Sequence, residues 1–224
     1  MTFLAGHENS PCFTKQDLTL SFEGSANALN DRVKRALKSK KLLQLKKGLY
    51  MTSIFYFNEP DKTKLTEFIA SQLCHNSYLS LEYVLHKYHL LFETPTITSI
   101  TTKTNRTFTN FSGTFQYSNM KESLYFGFEE VIFHNHLYLI ATKAKALFDY
   151  LYLRSDLHRS VKYLKHQLFE ELGIQWAYFS EQDFEQFDQY VWKTNSHKMM
   201  KIWQILNDHF NKKNFSKWAK ELLK

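Results

Sequence analysis

Apolar positions recur along residues 26–37 at the spacing of one helix face. Ala26, Leu29, Val33, Ala36 and Leu37 form the stripe, and Asn27, Asp31, Lys34, Arg35 and Lys38 fall on the other side. Ser25 stands at the N-cap, where its hydroxyl can accept from a free N–H of the first turn. Leu43-Gln44-Leu45 then alternates as a strand does. Lys46-Lys47-Gly48 predicts a turn, because glycine tolerates a positive φ, and Leu49-Tyr50-Met51 predicts the returning strand. Upstream, Phe13 to Leu18 reads as a short helix capped by Thr14, and Ser21 to Gly24 as a turn. Two short helices around a Gly-containing turn, the second basic, give a helix-turn-helix, and the basic ribbon makes it a winged helix. Met1 to Ser10 leaves room for a single turn of a first helix, so a later helix is expected to fill that place.

Asn58-Glu59-Pro60-Asp61 marks the expected boundary, since Pro60 restricts Glu59 and interrupts both helix and strand. The expected domains are 1–58, a winged helix-turn-helix, and 59–224, an α+β domain with a helical tail. Beyond the boundary, Lys64 to Leu73 predicts a helix, and Ser80 predicts the cap of another running to Tyr88. From Thr96 to Ile140, β-branched and aromatic residues alternate in short runs with tight connections. These predict an antiparallel sheet with strands near 97–102, 106–109, 114–117, 124–128, 131–133 and 137–140. Helical spacing returns over 141–153, 157–172, 181–192, 197–210 and 215–223.

Charge sharpens this picture. The net charge is +7, with 29 Lys and Arg against 22 Asp and Glu. Residues 1–58 hold nine basic and four acidic side chains, and 197–224 hold seven and two, whereas the middle of the chain is mildly acidic. A basic front end suits a polyanion, and the basic tail reads first as a solvated helix, with a second phosphate-contacting surface as the alternative. No apolar run is long enough to span a membrane, and Met1 to Gly6 lacks the form of a signal peptide. Two distant cysteines, Cys12 and Cys74, fit reduced thiols in cytoplasm.

Candidate chemistry is sparse. His134 and His136, one residue apart in an expected strand, would share a face, and His86 and His89 have helical spacing. No carboxylate or cysteine accompanies either pair, so no metal is expected. Lys145 and Asp149, four apart on a helix, read as a surface ion pair. Glu129, Glu130 and Asp149 would be the material for a metal-dependent nuclease, but their spacing does not demand one. The chain has no Gly-rich phosphate loop, no Gly-x-Ser-x-Gly and no Cys-x-x-Cys.

Several short stretches occur in a telling order. They are Tyr78-Leu79-Ser80-Leu81-Glu82, Thr101-Thr102-Lys103 with Arg106, Gly113 to Tyr117, Ile140-Ala141, and Lys145 to Leu151. Behind a winged helix, this order resembles the AbiEi family of antitoxins, from type IV toxin–antitoxin and abortive-infection systems, over roughly residues 10–155. The chain departs from the family at Lys143-Ala144, where Pro-Glu is usual. The resemblance implies an N-terminal winged helix that represses its own operon. It also implies a C-terminal domain that opposes a nucleotidyltransferase-like toxin without a tight binary complex.

The expectation is therefore a cytoplasmic, non-enzymatic α+β protein without cofactor, acting as DNA-binding repressor and antitoxin. Ser25, Asn27, Asp31, Lys34, Arg35, Lys38, Lys46 and Lys47 are the expected DNA-binding residues, on double-stranded operator DNA. Lys103 and Arg106 are the expected basic surface of the antitoxin domain. The alternatives are a winged-helix regulator whose second domain senses a ligand or protein, and a metal-dependent nucleic-acid-processing enzyme.

Overall fold

The computed structural model of the chain describes residues 3, 4, 6–92 and 96–210; the helix expected over 215–223 lies outside them. The fold is α+β, with two sheets and a helical C-terminal part. No helix among the described residues is long and apolar enough to cross a membrane. The chain forms two compact units. The first comprises the described residues up to His75 with Thr107–Phe115 and Ile132–Tyr138. The second comprises Asn76–Arg106, Gln116–Val131 and the described residues from Leu139 on.

The first unit begins with β1 (Phe13–Thr14), α1 (Lys15–Leu20), α2 (Ala26–Lys38), β2 (Leu42–Lys46) and β3 (Leu49–Thr52). The three strands are antiparallel in the order β1-β3-β2, with Phe13 opposite Tyr50 and Leu42 opposite Thr52. Thr14 caps α1 in a capping box: its backbone N–H donates to Asp17 Oδ2 at 2.7 Å, and its hydroxyl accepts from Asp17 N–H at 3.3 Å. Those bonds from Thr14 hold the Asp17 carboxyl below the usual carboxylate range. Leu29, Val33 and Ala36 of α2 pack with Leu18, Leu42 and Phe13 into one core. Ala26, expected on the same stripe, is exposed.

The next elements are α3 (Ser53–Asn58), capped by Thr52, and α4 (Lys62–Leu73), capped by Asp61. They correct the boundary expected after Asn58, because the first unit continues through α4. Side chains bind the later segments into it. Asn110 Nδ2 donates to Leu45 O at 3.1 Å, Tyr138 donates to the buried Glu67 at 2.6 Å, and His134 meets Glu59 at 2.5 Å.

A six-stranded sheet is formed by β4 (Ser77–Leu79), β5 (Ile97–Thr101), β6 (Arg106–Asn110), β7 (Gly113–Asn119), β8 (Phe128–Phe133) and β9 (His136–Ala141), in the order β6-β7-β5-β4-β9-β8. The expected sheet was antiparallel throughout; the observed one is mixed. β4 runs antiparallel to β5, with Tyr78 opposite Ile100, and parallel to β9, with Leu79 opposite Ile140. The strand expected at 124–128 begins only at Phe128, after a 3₁₀ turn at Glu122–Leu124.

In the second unit α5 (Leu81–Lys87) follows β4 directly, and α6 (Lys143–Leu153) follows β9. α7 (Val161–His166), α8 (Glu181–Trp192) and α9 (His197–His209) complete the helical part; the helix expected over 157–172 begins later, at Val161, and α7 runs straight on into a π turn at Gln167–Glu171. α6 packs against α5 and α8. It is buried on every side from Ala144 to Leu151, including Lys145 and Asp149, each with no exposed side-chain surface. This corrects the surface ion pair expected for them. Lys145 Nζ meets Asp149 Oδ1 at 2.5 Å, and Tyr78 and Ser80 donate to Asp149 Oδ2 at 2.9 and 2.7 Å. Ser80, expected to cap α5, makes no cap bond there, because its hydroxyl is turned to Asp149.

Removing one partner of a buried pair leaves the other charge uncompensated, which costs about 3–5 kcal/mol. We expect Lys145→Ala and Asp149→Ala each to lower the unfolding free energy in urea by about that much, and an unchanged midpoint would contradict the burial. Gly127 has φ +75°, and a Cβ there would meet Lys145 Cδ at 3.0 Å and Tyr190 Cζ at 3.1 Å. Gly127→Ala should therefore also destabilise, by about 1–3 kcal/mol from strain and crowding.

Candidate nucleic-acid interface

The Ser25 hydroxyl accepts from Ala28 N–H at 3.2 Å, which fixes where α2 begins. The helix buries Leu29, Val33 and Ala36 and turns Asn27, Asp31, Lys34, Arg35 and Lys38 to solvent. Asn27, Asp31 and Arg35 fall in one row at i, i+4 and i+8, and Lys34 and Lys38 form the row beside it. Arg35 Nε donates to Asp31 O at 3.2 Å, which ties the side chain to the helix backbone one turn earlier. Four cations on 13 residues, counting Arg32, make this the densest basic element of the first unit.

The ribbon turns at Lys47-Gly48, with Gly48 at φ +81°. Lys47 is exposed at the tip. Lys15 N–H donates to Gly48 O at 3.0 Å, so the start of α1 is tied to the same turn. Lys15, absent from the expected set, is exposed there. The pairing of the two-residue strand β1 with β3 brings it to that place, and so short a strand leaves no periodic signal.

Lys46 is corrected. It was expected at the tip, facing phosphate; instead its ammonium donates to the carbonyls of Gln72 and Leu73, each at 2.9 Å. Those carbonyls belong to the last turn of α4, where free C=O groups and the helix dipole favour a cation. A register shift in the β2–β3 pairing between Gln44 and Lys46 changes the alternation just before it.

Lys103 and Arg106 belong to the second unit and are exposed on the connection from β5 to β6. The backbone around them is ordered by side chains: Lys103 N–H donates to Thr101 Oγ1 at 3.2 Å, and Asn119 Nδ2 donates to Lys103 O.

Neither histidine pair has the arrangement expected of it. His134 lies in the turn between β8 and β9, with φ +44°, and faces Glu59, while His136 begins β9 and packs near the Phe68 ring at 5.4 Å. The shared face expected for them is therefore absent. His86 is bonded to Leu91 O, and His89 lies beyond the end of α5. Among the described residues no three His, Cys, Asp or Glu side chains are placed to hold a metal. Burial, with the Asp17 charge adding to it, pushes the Cys12 thiol up to about 11, so it stays protonated. In the Lys145–Asp149 cluster burial pushes the carboxyl up and the ammonium down, each opposed by the other's charge. The cluster is closed to solvent and acts on packing.

No protein-family model matches the chain, and no curated protein matches it.

The two neighbouring lysines of the ribbon should behave differently. Lys46→Ala removes two bonds to a helix end and should lower stability by about 1–3 kcal/mol. Lys47→Ala should leave stability within about 0.5 kcal/mol of the parent, as exposed substitutions do. Equal urea midpoints for the two variants would refute the assignment of Lys46 to α4.

Proposed function

We propose that the first unit is a winged helix that binds duplex DNA, with α2 in the major groove and the Lys47-Gly48 turn as a short wing along the phosphates. The observation that carries this reading is topological. The chain order is strand, helix, helix, strand, turn, strand; the sheet order is β1-β3-β2; and α2 presents a basic face away from the core. Lys34, Arg35, Lys38 and Lys47 are the phosphate and base contacts of this reading, and Lys15 joins them beside the wing. Asn27, Asp31 and Arg35 have the chemistry for base edges: asparagine for adenine, a carboxylate for the cytosine amino group and arginine for guanine.

On this reading the chain is a transcriptional repressor and antitoxin similar to the AbiEi family. It controls its own operon and opposes a nucleotidyltransferase-like toxin without a tight binary complex and without catalysis of its own. The stretches that carry the resemblance support it. Tyr78, Ser80, Lys145 and Asp149, up to 71 residues apart, meet in one buried network. Lys103 and Arg106, exposed in the same unit, are the residues assigned to toxin opposition.

Phosphate contacts release counterions, so log K falls with log salt by about 0.9 per contact. With Lys34, Arg35, Lys38 and Lys47 engaged, a gel-shift series on the upstream DNA should give a slope of about −3 to −4, reduced by about one in Lys47→Ala. A protein that does not bind this DNA at low salt ends the proposal.

The two activities are separable in cells carrying the neighbouring toxin gene. Lys34→Glu with Arg35→Glu sets negative charge against phosphate and should abolish repression. Expressed from an independent promoter, the same protein should still rescue growth. Folded protein that neither represses nor rescues makes DNA binding and toxin opposition one function. Repression without any rescue by the parent protein favours the regulator without a toxin.

A further inference from the structure

A cavity of about 450 Å³ opens on the flank of α2. Its floor is apolar: Leu4 and Ala36 are buried, and Phe3 is half-buried. Arg32, Arg35 and Lys41 also line it, and among the described residues no carboxylate does. None of the three cations makes a salt bridge among the described residues. The Arg32 guanidinium lies 5.0 Å from the Phe22 ring centre, which covers one face and leaves its in-plane N–H donors open. Arg35 spends its Nε on the helix backbone, donating to Asp31 O at 3.2 Å.

Three like charges around one mouth repel one another, and an anion between them relieves that repulsion. Phe3, Leu4 and Ala36, in turn, offer apolar surface to cover, and the hydroxyl of Ser39, which also lines the cavity, is already donated to Ala36 O at 3.2 Å. The volume is that of a small-molecule site. We propose that this cavity binds a small amphipathic anion, a hydrocarbon body bearing one carboxylate or phosphate, and that the bound anion withdraws Arg35 from DNA. The second half rests on the DNA-binding reading; the first half does not. Because coupling between sites is reciprocal, DNA would weaken the anion as much as the anion weakens DNA.

Calorimetry on the full chain tests the site with octyl phosphate and octanoate, below their micellar concentrations, against octanol and inorganic phosphate. At least one amphiphile should bind about tenfold tighter than either control, and comparison of the two identifies the head group. Arg32→Ala with Lys41→Ala should weaken that binding about tenfold while the urea midpoint stays in place. Binding of octanol at equal strength, unchanged binding by the folded double variant, or no amphiphile binding by the parent overturns the site. If no amphiphile binds and the double variant instead loses affinity for DNA, the cations are phosphate contacts and the cavity is not a site. The coupling is read by gel shift: saturating octyl phosphate should weaken DNA binding about tenfold in the parent and leave Arg35→Ala unaffected. Equal DNA affinity with and without octyl phosphate overturns the coupling. A protein that binds octyl phosphate but no DNA overturns the DNA-binding reading and upholds the cavity.

Discussion

A carboxylate with no exposed surface, Asp149, sets the terms for the second unit. An isolated buried carboxylate costs several kcal/mol, and that cost is offset only if donors converge on it with good geometry. Three do: the Lys145 ammonium from one turn earlier in α6, the Tyr78 hydroxyl from β4, and the Ser80 hydroxyl at the start of α5. A shift of any one element would leave a buried charge unmatched. β4 is thus fixed relative to α6, and with it the parallel pairing of β4 and β9 inside the sheet. The close approach of Gly127 to Lys145 follows from the same point, because the lysine stem lies where a side chain at residue 127 would stand.

The first unit uses single long side chains in a similar way. Lys46 closes the end of α4, Glu67 accepts from Tyr138, and Glu59 accepts from the Asp61 backbone and faces His134. These bonds explain why a cut after Asn58 is not a domain cut. It would strip Lys46 of both acceptors, leave Leu45 O without Asn110, and remove α4. A fragment of 58 residues would also bury only about 60% of its unfolded surface. The charge map of the sequence changes near Pro60, but charge reports the surface, and the unit is defined by what lies beneath it.

Much of the local structure was legible. The apolar stripe and Ser25 cap gave α2, Thr14 gave the cap of α1, and Gly48 gave the hairpin turn; the helices at 143–153, 181–192 and 197–209 fell close to expectation. What was not legible depends on distant partners. An i, i+4 Lys–Asp pair looks the same whether it faces water or Tyr78. The available signal lay around it: Ala144, Ala146, Leu147, Phe148 and Leu151 leave α6 no polar face, which marks a helix buried all round. The parallel pairing of Leu79 with Ile140 joins residues too far apart for periodicity to connect them. Lys46 and Lys47 are neighbours of one type, and only the end of α4 distinguishes them.

The composition of the α2 face bears on what kind of DNA contact the proposed reading implies. A surface built only to hold phosphate gains nothing from a carboxylate, which is repelled by every phosphate near it. Asp31 nevertheless stands between Asn27 and Arg35 in one exposed row, with Lys34 and Lys38 beside it. A row of amide, carboxylate and guanidinium offers donors and acceptors in a fixed sequence, which is the property that distinguishes base edges in the major groove. Arg35 is held to the Asp31 carbonyl, so its direction is partly set before any ligand arrives and less side-chain entropy is lost on contact. On the proposed reading the lysine row would supply affinity with little discrimination, while the Asn27–Asp31–Arg35 row would supply discrimination, with Asp31 lowering affinity for every sequence that lacks a matching donor.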